Sequence, residues 1–145
     1  MGGGMKEAMT PLRGQTMSNL TVEEIMTRNV ITVETEEPVF DMVKKMINKN
    51  VECVPVTRAG KLMGLITFRD VIRKVIYEGK DPKKMKAKDV MTKSVVTCYN
   101  DATVLDVVKL MKNRRLRRIP VIDRNRKLVG LITNFDLAII GWDVD

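Results

Sequence analysis

Histidine is absent from this 145-residue chain, and serine occurs only as Ser18 and Ser94. The first absence removes the commonest general base at neutral pH and the commonest metal ligand. The second leaves two hydroxyls with no base to activate them. Cys53 and Cys98 stand apart with no CxxC spacing, which argues against a zinc site or a redox pair and leaves buried structural thiols. Aromatic side chains are few (3 Phe, 2 Tyr, 1 Trp), a poor supply for stacking on nucleic acid. No apolar run approaches the roughly 20 residues that cross a bilayer, and residues 1–6 lack the apolar core of a signal peptide. These absences argue against an enzyme and against a resident metal, and they make the cytoplasm the expected compartment, with no membrane partner.

What is present is a globular composition, 44% hydrophobic and 30% charged, with a net charge of +8. Such a balance suits an anionic partner or simple solubility. The positive charge is concentrated in residues 80–88 and 112–118. At the end of a helix, the Arg114 and Arg115 charges also fit a dipole role.

The dominant feature is a duplication. Gly64-Leu65-Ile66-Thr67-Phe68-Arg69-Asp70 returns as Gly130-Leu131-Ile132-Thr133-Asn134-Phe135-Asp136. Met26-Thr27 returns as Met91-Thr92, and Pro55-Val56 as Pro120-Val121. Aligning 26–57 with 91–122 and 61–70 with 127–136 gives 19 identities in 42 positions. The register changes only at residues 58–60, where the second copy has one residue more, as a turn tolerates. Each copy is close to the size at which burial is marginal for an isolated domain. The two are therefore expected to share apolar surface with pseudo-twofold symmetry.

Within each copy the pattern reads β-α-β-β-α with a helical lead-in. Thr21-Val22-Glu23-Glu24 fits a capping box opening a short helix through Met26. Residues 30–33 are β-branched and strand-like. Residues 35–38 open a helix whose apolar face is Val39, Val43, Met46 and Ile47, flanked by Met42. Residues 53–57 and 62–66 form a hairpin around a turn at 58–60. A further helix from Thr67 carries Val71, Ile72, Val75 and Ile76 as its stripe and ends near Gly79. The second copy repeats the order, with a short helix at 88–91, a strand at 95–98, a helix at 103–113, a hairpin from 119–122 to 128–132 and a helix from 134 to about 140. The expected fold class is α+β, two β-α-β-β-α repeats packed sheet to sheet. The expected organisation is an N-terminal arm over 1–20, a first repeat over 21–79, a linker over 80–87 and a second repeat over 88–145.

The chemistry concentrates in Gly-Leu-Ile-Thr-x-x-Asp. Thr67 with Asp70, and Thr133 with Asp136, fit an N-terminal capping pattern. They also stand where a strand opens into a helix N-terminus, where free amides favour phosphate. A carboxylate there can take both hydroxyls of a ribose, as acids do in dinucleotide sites. Met26 and Met91, with Val30-Ile31 and Val95-Val96, can supply apolar walls for a base. Arg117 and Arg118 can supply cations for phosphate, whereas the first copy has Glu52-Cys53 at that place. The two sites are therefore expected to differ in charge.

Together these blocks resemble a tandem pair of CBS domains (the cystathionine β-synthase domain, or Bateman module), over about residues 22–141. The resemblance implies adenine-nucleotide binding in two clefts between the repeats, with AMP foremost and ADP, ATP or S-adenosylmethionine as further ligands. It implies that Thr67 and Thr133 contact phosphate or ribose and that Asp70 and Asp136 hold ribose hydroxyls. The Asp136 cleft would use Met26, Ile31, Glu52, Cys53 and Leu131. The Asp70 cleft would use Leu65, Met91, Val96, Arg117 and Arg118. The resemblance further implies a homodimer and a regulated partner protein, with no cofactor required. The alternatives are a dimerisation scaffold without ligand and a nucleic-acid-binding protein using the basic surface. Intact Thr-x-x-Asp in both copies argues against the first, and the scarcity of aromatics against the second.

Overall fold

A computed structural model describes residues 19–141. The arm read over 1–20 lies outside the described residues up to position 18, as does the end of the second repeat beyond 141. The fold is mixed α+β with two three-stranded sheets. The first sheet has the order β1 (Val33–Glu34), β2 (Cys53–Arg58), β3 (Lys61–Thr67). Strand β1 runs parallel to β2, with Val33 opposite Val56, and β2 runs antiparallel to β3, with Cys53 opposite Thr67. Helix α1 (Val39–Lys49) connects β1 to β2, and helix α2 (Phe68–Val71) follows β3 and continues as a π-helical turn over Ile72–Ile76. The second sheet, β4 (Cys98–Tyr99), β5 (Arg118–Ile122) and β6 (Leu128–Thr133), is served likewise by α4 (Val104–Arg114) and α5 (Asn134–Ile139). A short helix, α3 (Ala87–Val90), and a 3-10 turn, Val22–Glu24, are the two lead-ins.

The chain divides into two units that do not coincide with the two sequence repeats. The first is Asn29–Val96 with Asn125–Leu128; the second takes, of the described residues, 19–28, Thr97–Arg124 and 129–141. The first lead-in therefore belongs with the second sheet, and the second lead-in with the first sheet. Each core shows this exchange. Ala87 and Val90 are fully buried with Val39, Met42, Met46, Val54, Val56 and Ile66 in the first unit. Leu20, Val22 and Met26 are buried with Val104, Val107, Met111, Ile119, Val121 and Ile132 in the second. At ~25 cal/mol per Å² of apolar surface removed from water, these lead-in side chains are part of what holds each unit together.

Local chemistry explains the element ends. Both long helices stop at a residue in the left-handed region, Asn50 (φ 54) and Arg115 (φ 54), each of which ends the helix as an αL cap. The hairpin turn uses Ala59 (φ 52) and Gly60 (φ 79), the two positive φ values that a tight turn with strand-matching twist requires. Several sequence expectations shift. Strand β1 is limited to Val33–Glu34, because only that pair lies in register with β2. Helix α1 begins after Pro38 rather than at Thr35. Its core face is Val39, Met42 and Met46, with Val43 partly buried and Ile47 exposed, since Ile47 lies a further 100° around the helix. In the helix after Thr67 only Val75 is buried; Ile72 is 56% exposed and Ile76 68%. The π-turn closes with the Tyr77 amide on the Ile72 carbonyl at 2.8 Å, and this wider turn throws the 3.6-residue stripe out of phase.

Candidate functional site

Strand β3 ends at Thr67 in extended conformation, and α2 starts at the next residue. The Thr67 amide donates to Asp70 Oδ2 at 2.9 Å, and the Asp70 amide donates to Thr67 Oγ1 at 3.3 Å. The capping pattern read from the sequence is thus formed. The other carboxylate oxygen looks outward from this cap. Asp70 Oδ1 accepts from the Thr92 hydroxyl at 3.4 Å and pairs with Lys74 Nζ at 3.4 Å. Lys74 is anchored in turn by donating to the Val90 carbonyl at 2.8 Å.

The second unit repeats the arrangement with one change. The Thr133 amide donates to Asp136 Oδ2 at 2.9 Å, and the Asp136 amide to Thr133 Oγ1 at 3.1 Å. The Thr27 hydroxyl donates to Asp136 Oδ1 at 3.1 Å. Four residues on, where the first unit has Lys74, stands Ile140. Asp136 has no cationic partner among the described residues. The two carboxylates therefore share a geometry and differ in charge compensation.

Other predicted residues gather round these two caps by unit. In the first, the Phe68 amide donates to the Glu52 carbonyl at 3.1 Å and Cys53 lies opposite Thr67 in the ladder, so Glu52 and Cys53 flank the Asp70 cap. Leu65 exchanges two backbone hydrogen bonds with Thr92, at 3.0 and 2.9 Å, and Met91 lies against Gly64. In the second, the Asn134 amide donates to the Arg117 carbonyl at 2.8 Å, which brings Arg117 and Arg118 beside the Asp136 cap. Leu131 exchanges hydrogen bonds with Thr27 at 2.8 and 2.9 Å, and Met26 lies against Gly130. Ile31 and Val96 both belong to the first unit; Ile31 is packed on its core, and Val96 is half-buried.

Sequence reasoning missed Thr27, Thr92 and Lys74. The signal for the threonines is the Met-Thr pair that recurs before each first strand. A carboxylate can accept about four hydrogen bonds, and one lone pair of each Asp serves the cap. The outward oxygen of each meets a threonine hydroxyl, with Lys74 also beside Asp70, and a diol with better geometry can replace that hydroxyl.

The CBS domain family model matches residues 22–77 and 87–140. An uncharacterized protein of Methanopyrus kandleri is 35% identical over 122 residues, covering 83% of this chain and 62% of that protein. The CBS domain-containing protein YhcV of Bacillus subtilis is 30% identical over 119 residues, covering 82% of this chain and 84% of that protein. Among solved structures, CBSX2 in complex with AMP is similar with a TM-score of 0.71 and 25% identity, covering 83% of this chain and 94% of that one. The chain thus spans less than two thirds of the Methanopyrus relative. No helix among the described residues is long and apolar enough to cross a membrane.

Proposed function

Because the chain belongs to the CBS domain family, we propose that it is a cytoplasmic, non-catalytic regulatory module that binds an adenine nucleotide, AMP foremost and ADP, ATP or S-adenosylmethionine in the same manner. Asp70 and Asp136 are the ribose-holding groups. Thr67 and Thr133 hold each carboxylate in place and present a hydroxyl to ribose or phosphate. Leu65, Met91, Ile31, Val96, Leu131 and Met26 supply the apolar surface for adenine. Arg117 and Arg118 serve the phosphate, and Glu52 and Cys53 make the other side less cationic. The observation that carries this reading is the doubled carboxylate, each fixed by its own helix cap and facing an exchangeable threonine hydroxyl. The AMP complex of the similar CBSX2 supports the choice of ligand class.

Exchange of the threonine hydroxyl for ribose gives the module a way to act on a partner. Thr27 and Thr92 belong to the lead-ins, so a ligand that takes their carboxylate changes how each lead-in is held. The ligand shifts the protein only by its differential affinity for the two arrangements. Titration calorimetry with AMP, ADP, ATP, GTP and S-adenosylmethionine tests the reading. Adenine ligands should bind, and at 100 times the dissociation constant they should stabilise the fold by about 2.7 kcal/mol. Asp70→Asn and Asp136→Asn keep an acceptor for the cap and lose the charge, so each should abolish one site in a folded protein. No heat from any adenine ligand, or unchanged affinity in both variants, overturns the proposal.

The module is proposed to act as a homodimer. Ile72, Ile76 and Tyr77 leave an apolar surface in water beyond the Asp70 cap, Tyr77 at 88% exposure, and a second copy is the occupant expected from the family resemblance. Light scattering at micromolar concentration should give twice the chain mass, and Ile76→Lys should return it to the monomer; a monomeric parent protein overturns the assignment.

A further inference from the structure

Lined by no residue of the Asp70 cap, a cavity of about 410 Å³ opens in the first unit, within the size range of small-molecule sites. Thr35, Arg58 and Lys93 line it together with Met63 and Met91. Arg58 pairs with Lys61 at the hairpin end of β3, and Thr67 closes the opposite end. Arg58 thus lies at the far end of the strand from Thr67, whereas Met91 and Lys93 flank Thr92, whose hydroxyl meets Asp70 at 3.4 Å. Met91 alone is shared with the residues assigned to adenine.

The polar groups here are unusually uncommitted. Thr35 is only 7% exposed, yet its hydroxyl has no hydrogen-bond partner among the described residues. Only its backbone is engaged, the amide donating to the Thr57 carbonyl and the carbonyl accepting from the Lys88 amide. A buried hydroxyl without a partner is rare and costly. Arg58 and Lys93, both lining the cavity, have no ion pair among the described residues. Of the two acids that line it, Glu36 is ion-paired and Asp89 closes a helix cap. Glu36 is bound by Lys86 at 2.7 Å and Lys88 at 3.0 Å, hydrogen bonds that hold its carboxyl down at about 2. Asp89 accepts from the Lys86 amide at 2.9 Å. Two cations and one buried donor, none of them partnered among the described residues, thus line one cavity with two methionines, whose long, polarisable side chains adapt to varied shapes.

We infer that this cavity is a second ligand site, for a small phosphorylated metabolite whose phosphoryl oxygens meet Arg58, Lys93 and the Thr35 hydroxyl while its organic part lies on Met63 and Met91. Guanidinium matches the phosphoryl oxygens as a two-pronged donor, and the ammonium adds a point charge. The site stands independently of the nucleotide reading, because none of its polar groups belongs to the caps.

The test uses the whole chain labelled with carbon-13 at the methionine methyls. Phenyl phosphate should shift the Met63 and Met91 signals saturably, whereas phenol, or sodium chloride at matched ionic strength, should not. Combined Arg58→Ala and Lys93→Ala should weaken this binding at least tenfold. Asp70→Asn with Asp136→Asn should leave it intact even though adenine nucleotides no longer bind. Thr35→Val should weaken binding and, by removing an unpaired buried hydroxyl, raise the melting temperature of the free protein. The inference is overturned by shifts that do not saturate, by unchanged affinity in the double cation variant, by loss of binding in the double Asn variant, or by a lower melting temperature in Thr35→Val.

Discussion

Asp70 and Asp136 work in two directions at once. One oxygen closes a helix cap that the chain makes for itself, and the other meets a threonine delivered from a distant part of the sequence. The capping role was readable from Thr-x-x-Asp, because it is local and obeys a fixed spacing. The partners Thr27, Thr92 and Lys74 were not, since nothing in spacing says which segment crosses to which sheet. Cys53 is buried, as its apolar context implies, whereas Cys98 is only half-buried. Burial pushes the Cys98 thiol up to about 12 from the ordinary 9.0. The thiolate is thereby excluded from the fold, so any stability linked to this group is complete below pH 9 and is lost as the pH climbs toward 12. At pH 8 a disulfide reagent should leave Cys98 unmodified in the native protein and label it at once in guanidinium. Rapid labelling of Cys98 in the native protein would contradict the raised pKa, as thiol reactivity follows the thiolate.

At the level of elements, the repeated glycines have a steric cause. A Cβ on Gly64 would stand 2.8 Å from the Thr92 carbonyl, and one on Gly130 would stand 2.9 Å from the Thr27 carbonyl. Those carbonyls cannot easily withdraw, because each accepts a backbone hydrogen bond from the neighbouring strand, from Leu65 or Leu131. The methionine side chains that also crowd these points can move; the backbone is the fixed wall. Gly64→Ala and Gly130→Ala should each cost about 1–3 kcal/mol, the usual penalty of overpacking. The measurement is the urea midpoint at constant slope, and a loss below about 0.5 kcal/mol would show that the lead-in yields. The same level shows where sequence patterns fell short. Hairpins and long helices were legible because hydrophobic period and turn residues agree. The stripe of Ile72 and Ile76 was misread because periodicity assumes 3.6 residues per turn, and the π-turn at Ile72–Ile76 breaks that assumption. Strand β1 is shorter than its β-branched residues suggest, because they mark propensity, while a strand also needs a partner in register.

At the scale of the whole molecule, the duplication visible in the sequence is of repeats, whereas the duplication visible in space is of units that trade their lead-ins. The trade follows from burial. A block of this size leaves its sheet and helices short of apolar cover, and Ala87 with Val90, or Val22 with Met26, completes each core from outside the repeat it serves. Both lead-ins are also stitched in by backbone hydrogen bonds, Val22 to Ala102 and Ala87 to Glu37, each at 2.8 Å. A chain cut in the segment after Gly79 would leave each half holding the other's missing lead-in. Residues 1–79 and 80–145 made separately should therefore show little cooperative unfolding, because each lacks core side chains and leaves sheet-edge groups of β3 or β6 unpaired. Mixed in equal amounts they should associate and recover a cooperative transition. Two halves that each unfold cooperatively alone, with nothing gained on mixing, would mean that the repeat itself is the folding unit and that the exchanged lead-ins are decoration.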